Sequence, residues 1–299
     1  MVAMDDGATW VDCANRELAG CNWLAERSGG LCCSCALTRT RPRDADAAGL
    51  GAFVVAERAK RRALVQLMEL GLPGIRQGSL AFDLLSSTER RVTTGHADGV
   101  ITIDLAESDD ARREARRAQL GEPYRTMLGH LRHELGHYMQ PRLVVGDEAW
   151  AACRRLFADD RTDYREALER HYADGPPTDW QERYVSAYAT MHPWEDWAET
   201  FAHYLHITDT LETAAEFGVV VEGPRAAAAD AELAAAPRTE PRAHEFVTIL
   251  ENWLPLTYAL NAINRSMGRD DLYPFTLAPV VVDKLSFVHE RVLDTREGA

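Results

Sequence analysis

The sequence predicts a mostly helical α+β protein with a small cysteine-rich module at its N-terminus, and three observations carry that expectation. Five of the six cysteines fall within the first 35 residues. Residues 80–85 and 99–106 read as strands, the second with period-two alternation and β-branched side chains. Most of the chain after residue 124 repeats its apolar positions every three or four residues, the helical period.

The N-terminal module comes first. Cys32-Cys-Ser-Cys35 is a knuckle of the C-x-x-C type, and Cys13 with Cys21 can supply the other pair of a four-thiolate zinc site. Seven residues separate Cys13 from Cys21, a wider gap than a tight knuckle has. A disulfide cluster is the rival arrangement. The first thirty residues argue against it, because Asp5, Asp6, Asp12, Arg16, Glu17, Glu26 and Arg27 leave no apolar stretch of the secretory kind. A structural zinc in reducing cytoplasm is the consistent pair, and a module of about forty residues needs a metal in place of a core. Cys33 is left as an extra thiol, and Cys153 reads as a small buried apolar side chain. Thr-Arg-Thr-Arg-Pro-Arg-Asp-Ala-Asp then reads as linker, which divides the chain into residues 1–45 and 46–299. Between Cys13 and Arg43, five arginines face two glutamates. That excess suits either a solvated linker or docking on an acidic partner or nucleic acid.

The second domain opens with a helix over residues 52–70. The two strands follow, with His96-Ala-Asp-Gly as the turn between them. Pro123 suits a first helical position, and Tyr124, Met127, Leu128, Leu131, Leu135 and Tyr138 define a helix that Pro141 should stop. Helical segments continue through Tyr172, Gly175-Pro-Pro breaks the chain, and Tyr184 and Tyr188 fall on the next expected helix. Pro193 starts another. Residues 224–241, rich in Ala and charge, read as a frayed helix or loop. Helices over 243–267 and 280–293 close the fold.

His133-Glu-Leu-Gly-His137 carries the chemistry. On a helix, residues four apart share a face, so both imidazoles can reach one zinc ion. Glu134 beside them can take a proton from water and return it to a leaving amine. His130, one turn earlier, lies about 10 Å of helix rise from His137, too far for both to join His133 on one ion. It reads as a supporting or surface residue.

A catalytic zinc site usually has three protein ligands, so the third must come from elsewhere. The helix at Pro193 carries Trp194, Trp197, Phe201 and Leu205 on one stripe and Glu195, Glu199, His203 and His206 on another. Glu199 is the first choice, because the Thr-Phe-Ala that follows it resembles the local pattern around the ligand glutamate of many zincins. Glu195 is the alternative, although a carboxylate in a first helical turn also serves the helix dipole. His203 is a candidate to hold the ligand carboxylate or an oxyanion, and Tyr184 and Tyr188 are candidates to donate a hydroxyl to that oxyanion.

Charge and hydropathy set outer bounds. Lys and Arg total 33 against 47 Asp and Glu, a net charge of -14, which argues against nucleic-acid binding by the main domain. No run of eighteen apolar residues is present, so no membrane-spanning helix is expected.

The cysteines with Asn22-Trp-Leu, the Leu-Thr-Arg-Thr-Arg-Pro run, Thr94-Gly-His-Ala-Asp-Gly-Val-Ile-Thr-Ile, the long segment from Glu122 through His137, and Met191-His-Pro-Trp-Glu-Asp-Trp-Ala-Glu-Thr-Phe-Ala-His-Tyr-Leu-His together resemble bacterial zinc-binding metallopeptidases that carry an N-terminal zinc ribbon. The resemblance implies a zincin-like domain of the gluzincin type, a cytoplasmic peptidase acting on a peptide or protein, and two zinc ions, one catalytic and one structural. It implies His133 and His137 as ligands and Glu134 as base, and it does not separate Glu199 from Glu195. A strand just before the motif helix is where such folds offer an edge to an extended substrate. A different class of function also fits: a binding or adaptor protein with two structural zinc ions, its arginine-rich ribbon docking a partner.

Overall fold

The computed structural model describes residues 2–3, 9–75, 78–87, 92–108, 126–223, 233–237 and 245–297. The chain divides into two compact units, residues 1–121 with 125–142 and residues 122–124 with 143–299. The architecture is α+β and mostly helical, as expected.

The first unit begins with the cysteine module. Strands β1 (Val2–Ala3), β2 (Thr9–Asp12) and β3 (Leu24–Ala25) form an antiparallel sheet in the order β1-β2-β3. A short helix α1 (Arg16–Ala19) turns the chain between them and ends on Gly20 in the left-handed region. The stretch expected to be linker is in part strand. Its first residues form strand β4 (Thr38–Thr40), which pairs in parallel with β5 (Ala81–Leu85). Arg39 Nε donates to Asp83 Oδ1 at 3.0 Å, and that guanidinium holds the Asp83 carboxyl below its usual range despite burial. Asp46 caps helix α2 (Ala47–Glu69) by accepting from the Gly49 N–H at 2.8 Å. The helix therefore starts earlier than the apolar spacing alone suggested.

Strand β7 (Val100–Asp104) pairs in parallel with β5, and β6 (Gly95–Ala97) adds antiparallel to β7, giving the order β4-β5-β7-β6. The turn expected at His96 is thus shorter: His96 and Ala97 are strand, and Asp98 and Gly99 make the turn with φ of 49° and 80°. A Cβ at Gly99 would meet the Ser79 carbonyl oxygen at 2.1 Å, so only glycine fits. Phe82 and Leu84 face the same side of the sheet as their neighbours Ile101 and Ile103, and all four are fully buried, as are Phe53, Leu64 and Leu67 of α2.

Helix α3 (Met127–Leu143) carries the His133 motif and runs through Pro141. The expected start at Pro123 lies outside the described residues. Buried Tyr138 anchors α3: its hydroxyl donates to the Gly74 carbonyl at 3.0 Å and lies 2.7 Å from Ser79 Oγ.

The second unit contains α4 (Asp147–Phe157), α5 (Tyr164–Asp174), α6 (Pro193–Glu216), a β8–β9 hairpin (Val221–Gly223 with Leu233–Ala235), α7 (Phe246–Ser266) and α8 (Pro279–Glu297). Most of the stretch expected to be mobile or frayed, 224–241, lies outside the described residues. Tyr184 and Tyr188 are not on a helix; Tyr188 opens a single 3₁₀ turn, Tyr188–Thr190, and the Arg183 carbonyl instead accepts from Lys284 Nζ at 2.8 Å. Helix α6 is buried on nearly all sides. Trp197 packs between Phe157 and Phe287, with ring centroids 5.6 and 6.2 Å away. Asp196 and Lys284, both buried, pair at 2.6 Å and tie α6 to α8. No described helix is long and apolar enough to cross a membrane.

Candidate metal centres

Two groups of buried metal-ligating side chains among the described residues bring their donor atoms within 4.8 Å of one another. One is Cys13, Cys21, Cys32 and Cys35; the other is His133, His137 and Glu195.

The cysteine group arises from three turns. Cys13 follows β2, Cys21 follows the left-handed Gly20, and Cys32 and Cys35 sit on the knuckle that opens a 3₁₀ turn, Cys35–Leu37. All four are 1 or 2% exposed, none is in a disulfide, and Cys33 points outward. Backbone N–H groups aim at the sulfurs: Cys32 N donates to Cys13 Sγ at 3.3 Å and Cys35 N to Cys32 Sγ at 3.4 Å. Cys21 and Cys32 Sγ are 3.6 Å apart. Sulfurs on a tetrahedral zinc stand about 3.8 Å apart, so the donor set fits that ion. The Cys32 thiol is lowered to about 5, chiefly by the hydrogen bond from Cys35, whereas burial raises Cys21 to about 11.

At the second group, His133 and His137 lie one turn apart on α3 and are 7 and 4% exposed. Their Nε2 atoms are 3.1 Å apart, close to the roughly 3.3 Å spanned by two imidazoles on one tetrahedral zinc. Glu134 is buried beside them. Burial pushes its carboxyl up, but the hydrogen bond from His130 and the charges of His133, His130 and His137 outweigh it and leave the group below its ordinary value. His130 Nε2 is 3.3 Å from Glu134 Oε1, while Oε2 is buried with no hydrogen-bond partner among the described residues. A buried carboxylate oxygen with nothing to accept from marks a place for a polar ligand. The role of His130 was half legible from its i, i+4 spacing to Glu134, which sets the two side chains face to face.

Helix α6 supplies the carboxylates. His192 Nδ1 accepts from the Trp194 N–H at 3.1 Å and caps the helix, and Pro193 occupies its first turn. Glu195 is 2% exposed, and Tyr164 donates its hydroxyl to Oε1 at 2.8 Å. Glu199, one turn on, is half-buried and accepts from Ser186 Oγ at 2.6 Å. The carboxylate grouped with the histidines is therefore that of Glu195, the alternative of the two. Tyr164 had no sequence signal, since nothing local links it to residue 195.

Two of the expected oxyanion donors are placed differently. His203 Nδ1 is 2.6 Å from the Tyr273 hydroxyl, with the Phe275 ring centroid 4.4 Å away, and burial lowers its pKa to about 4. Tyr188 is held above the usual phenol range by burial first and then by the charge of Glu195, and it shares a hydrogen bond with Tyr164.

A family model described as "Putative zinc-binding metallo-peptidase" matches residues 50–291 of this chain. Among the curated proteins, uncharacterized proteins of Mycobacterium bovis and of two Mycobacterium tuberculosis strains are 51% identical over 297 residues, covering 97% of this chain and 84% of theirs. No solved structure matches.

Proposed function

This chain belongs to that zinc-binding metallo-peptidase family, and from that premise we propose that it hydrolyses peptide bonds with His133, His137 and Glu195 as zinc ligands and Glu134 as general base. The observation that carries the reading is the contrast in donor count: three nitrogen and oxygen donors at one group, four thiols at the other. Catalytic zinc keeps a position open for water or substrate, and structural zinc is closed by four protein ligands. Zinc held by the histidines supplies Lewis acidity, polarising a carbonyl and making water acidic enough to ionise near pH 7. Glu134 takes the proton from the attacking water and passes it to the departing amine. Its Oε2, without a hydrogen-bond partner among the described residues, supports that role.

We assign the oxyanion donor to Tyr188 rather than His203. The support is that Tyr188 shares Tyr164 with Glu195, whereas His203 already engages Tyr273. An extended peptide or protein segment would add to β6, the strand that ends the main sheet beside α3; His96 on β6 meets Tyr138 of α3 with ring centroids 5.8 Å apart. Docking of nucleic acid through the arginine-rich module has less support. Arg16 pairs with Asp12, Arg39 with Asp83 and Arg41 with Asp44, which neutralises most of the local excess. A cytoplasmic location agrees with six cysteines free of disulfides.

The test is Glu134→Gln in the full chain. Zinc content should stay at the wild-type level while peptide cleavage falls by about 10²- to 10⁴-fold, the usual weight of a general base. Full cleavage by this variant would overturn the mechanism.

A further inference from the structure

Among the apolar side chains that α2 buries, four positions are polar or charged. Glu57, Lys60, Arg61 and Gln66 are all buried, the first two completely. Charged side chains are almost never fully buried unless something specific requires them. Each of these four has its partner in the cysteine module or in α3, and none of them is used by the catalytic proposal.

At one end of α2, Glu57 Oε2 lies 3.9 Å from Cys35 Sγ. Its other oxygen takes Lys60 Nζ at 2.6 Å and the Thr38 hydroxyl at 2.5 Å, and Lys60 also bonds that hydroxyl. Thr38 follows directly on the knuckle turn and opens β4. Arg61 donates to the carbonyls of Ala19 and Gly20, at 3.2 and 3.1 Å, on the turn that delivers Cys21. Two of the four cysteines are thus tied to α2 through buried polar contacts. Farther along, Gln66 Oε1 accepts from Arg132 at 2.9 Å, with both side chains buried. Arg132 is the residue before His133. Glu57 and Gln66 are nine positions apart on the helix, about 13 Å of rise.

We propose that α2 is a strut between the two metal centres, and that Gln66, acting through Arg132, is a positioning residue for the His133–His137 pair. Metal in the cysteine cluster fixes the knuckle and the Gly20 turn, these fix the buried charges of α2, and Gln66 transmits that placement to α3. The ribbon is then a brace for the catalytic helix, not a tethered recruiting module. The inference rests on the reading that both groups bind zinc.

The experiment uses the full chain loaded with zinc, or with cobalt(II), whose thiolate sites absorb unlike nitrogen–oxygen sites. Amide hydrogen exchange is followed across residues 127–143, with residues 285–297 of α8 as a monitor of global unfolding. Emptying the cluster with Cys32→Ser should speed exchange in α3 by about tenfold in the wild-type background. In Gln66→Leu, whose cobalt–thiolate absorption should be unchanged, α3 should exchange faster at the outset and respond less than about twofold to the same cysteine change. Gln66→Glu keeps an acceptor for Arg132 and should restore both protection and response. Should Cys32→Ser fail to fold, the Gln66 pair carries the test alone: fast exchange in Leu and rescue in Glu support the strut. Equal α3 exchange in wild type and Gln66→Leu overturns it, and so does an undiminished response in Gln66→Leu. A chain that never shows a cobalt–thiolate band overturns the zinc reading of the cluster along with the strut.

Discussion

The cysteine cluster and the histidine–glutamate group are built on opposite plans. The first takes four like donors from 23 consecutive residues, Cys13 to Cys35, on three turns whose backbone N–H groups point at the sulfurs. The second takes two donors from one turn of α3 and a third from a helix sixty residues further on, with Tyr164 orienting that carboxylate. A site closed within one short segment can form as soon as metal arrives, so its binding energy becomes folding energy. A site assembled from distant segments presupposes a folded chain and can leave a position free for chemistry.

The largest consequence concerns stability. Structural zinc in small modules contributes roughly 10 kcal/mol or more at neutral pH. Cys32→Ser should therefore lower the melting temperature steeply and increase protease sensitivity of the N-terminal region. A chelator applied briefly to wild-type protein should do something different: cleavage is lost first, while the thiolate-bound ion and most of the melting temperature persist. Simultaneous loss of both ions and of folding would erase the distinction between a closed and an open site.

Next comes the choice of carboxylate. Glu195→Ala removes a proposed ligand and should reduce zinc retained at the histidine group well beyond the 10- to 100-fold cost of an outer-shell change. Glu199→Ala removes the partner of Ser186 but no proposed ligand and should stay within or below that range. Competition with a chromogenic chelator would measure both. The reverse order would make Glu199 the ligand.

These two cases also mark what the sequence could and could not reveal. The four thiols and the paired histidines are legible because their partners lie close in the chain and the required spacing is a local property. Glu195 and Glu199 are one helical turn apart on the same face, so no periodicity distinguishes them. What does so is Tyr164 on α5 and Ser186 on an irregular loop, contacts that exist only after folding. The same holds for Thr38–Thr40, whose Arg- and Pro-rich surroundings read as linker until β5, forty residues later, offers an edge to pair with. Tyr184 and Tyr188 mislead for a related reason: their i, i+4 spacing suits a helix, but the segment is anchored by Lys284 of α8 instead.

The third expectation lies in the unit that supplies only one donor. Burial holds the His203 imidazole neutral down to about pH 4, against about 6.5 for a free histidine. The unfolded chain therefore binds a proton between those values that the folded chain does not. Stability from this residue is complete above pH 6.5 and is lost as pH falls towards 4, by about 3 kcal/mol. In His203→Gln the glutamine has no proton to gain, so the difference in unfolding free energy between the two proteins should shrink as pH falls through that window. A difference independent of pH would mean that His203 titrates normally.

The smallest effect tests the orienting hydrogen bond itself. Tyr164→Phe removes one hydroxyl from Glu195 Oε1 and leaves the ring, which packs against His192 and Trp194 at 5.3 and 5.9 Å, in place. A carboxylate ligand freed at one oxygen can rotate, and loss of such an outer contact costs about tenfold in metal affinity at the low end of its range. The variant should therefore bind zinc at the histidine group about tenfold more weakly, with the cobalt–thiolate band of the cysteine cluster unchanged. Phe at 164 combined with Glu195→Ala should retain zinc no worse than Glu195→Ala alone, because the hydroxyl bears on metal binding through that carboxylate. Additive losses would show that Tyr164 contributes to the site by some other route, and would weaken the case that Glu195 is the side chain it serves.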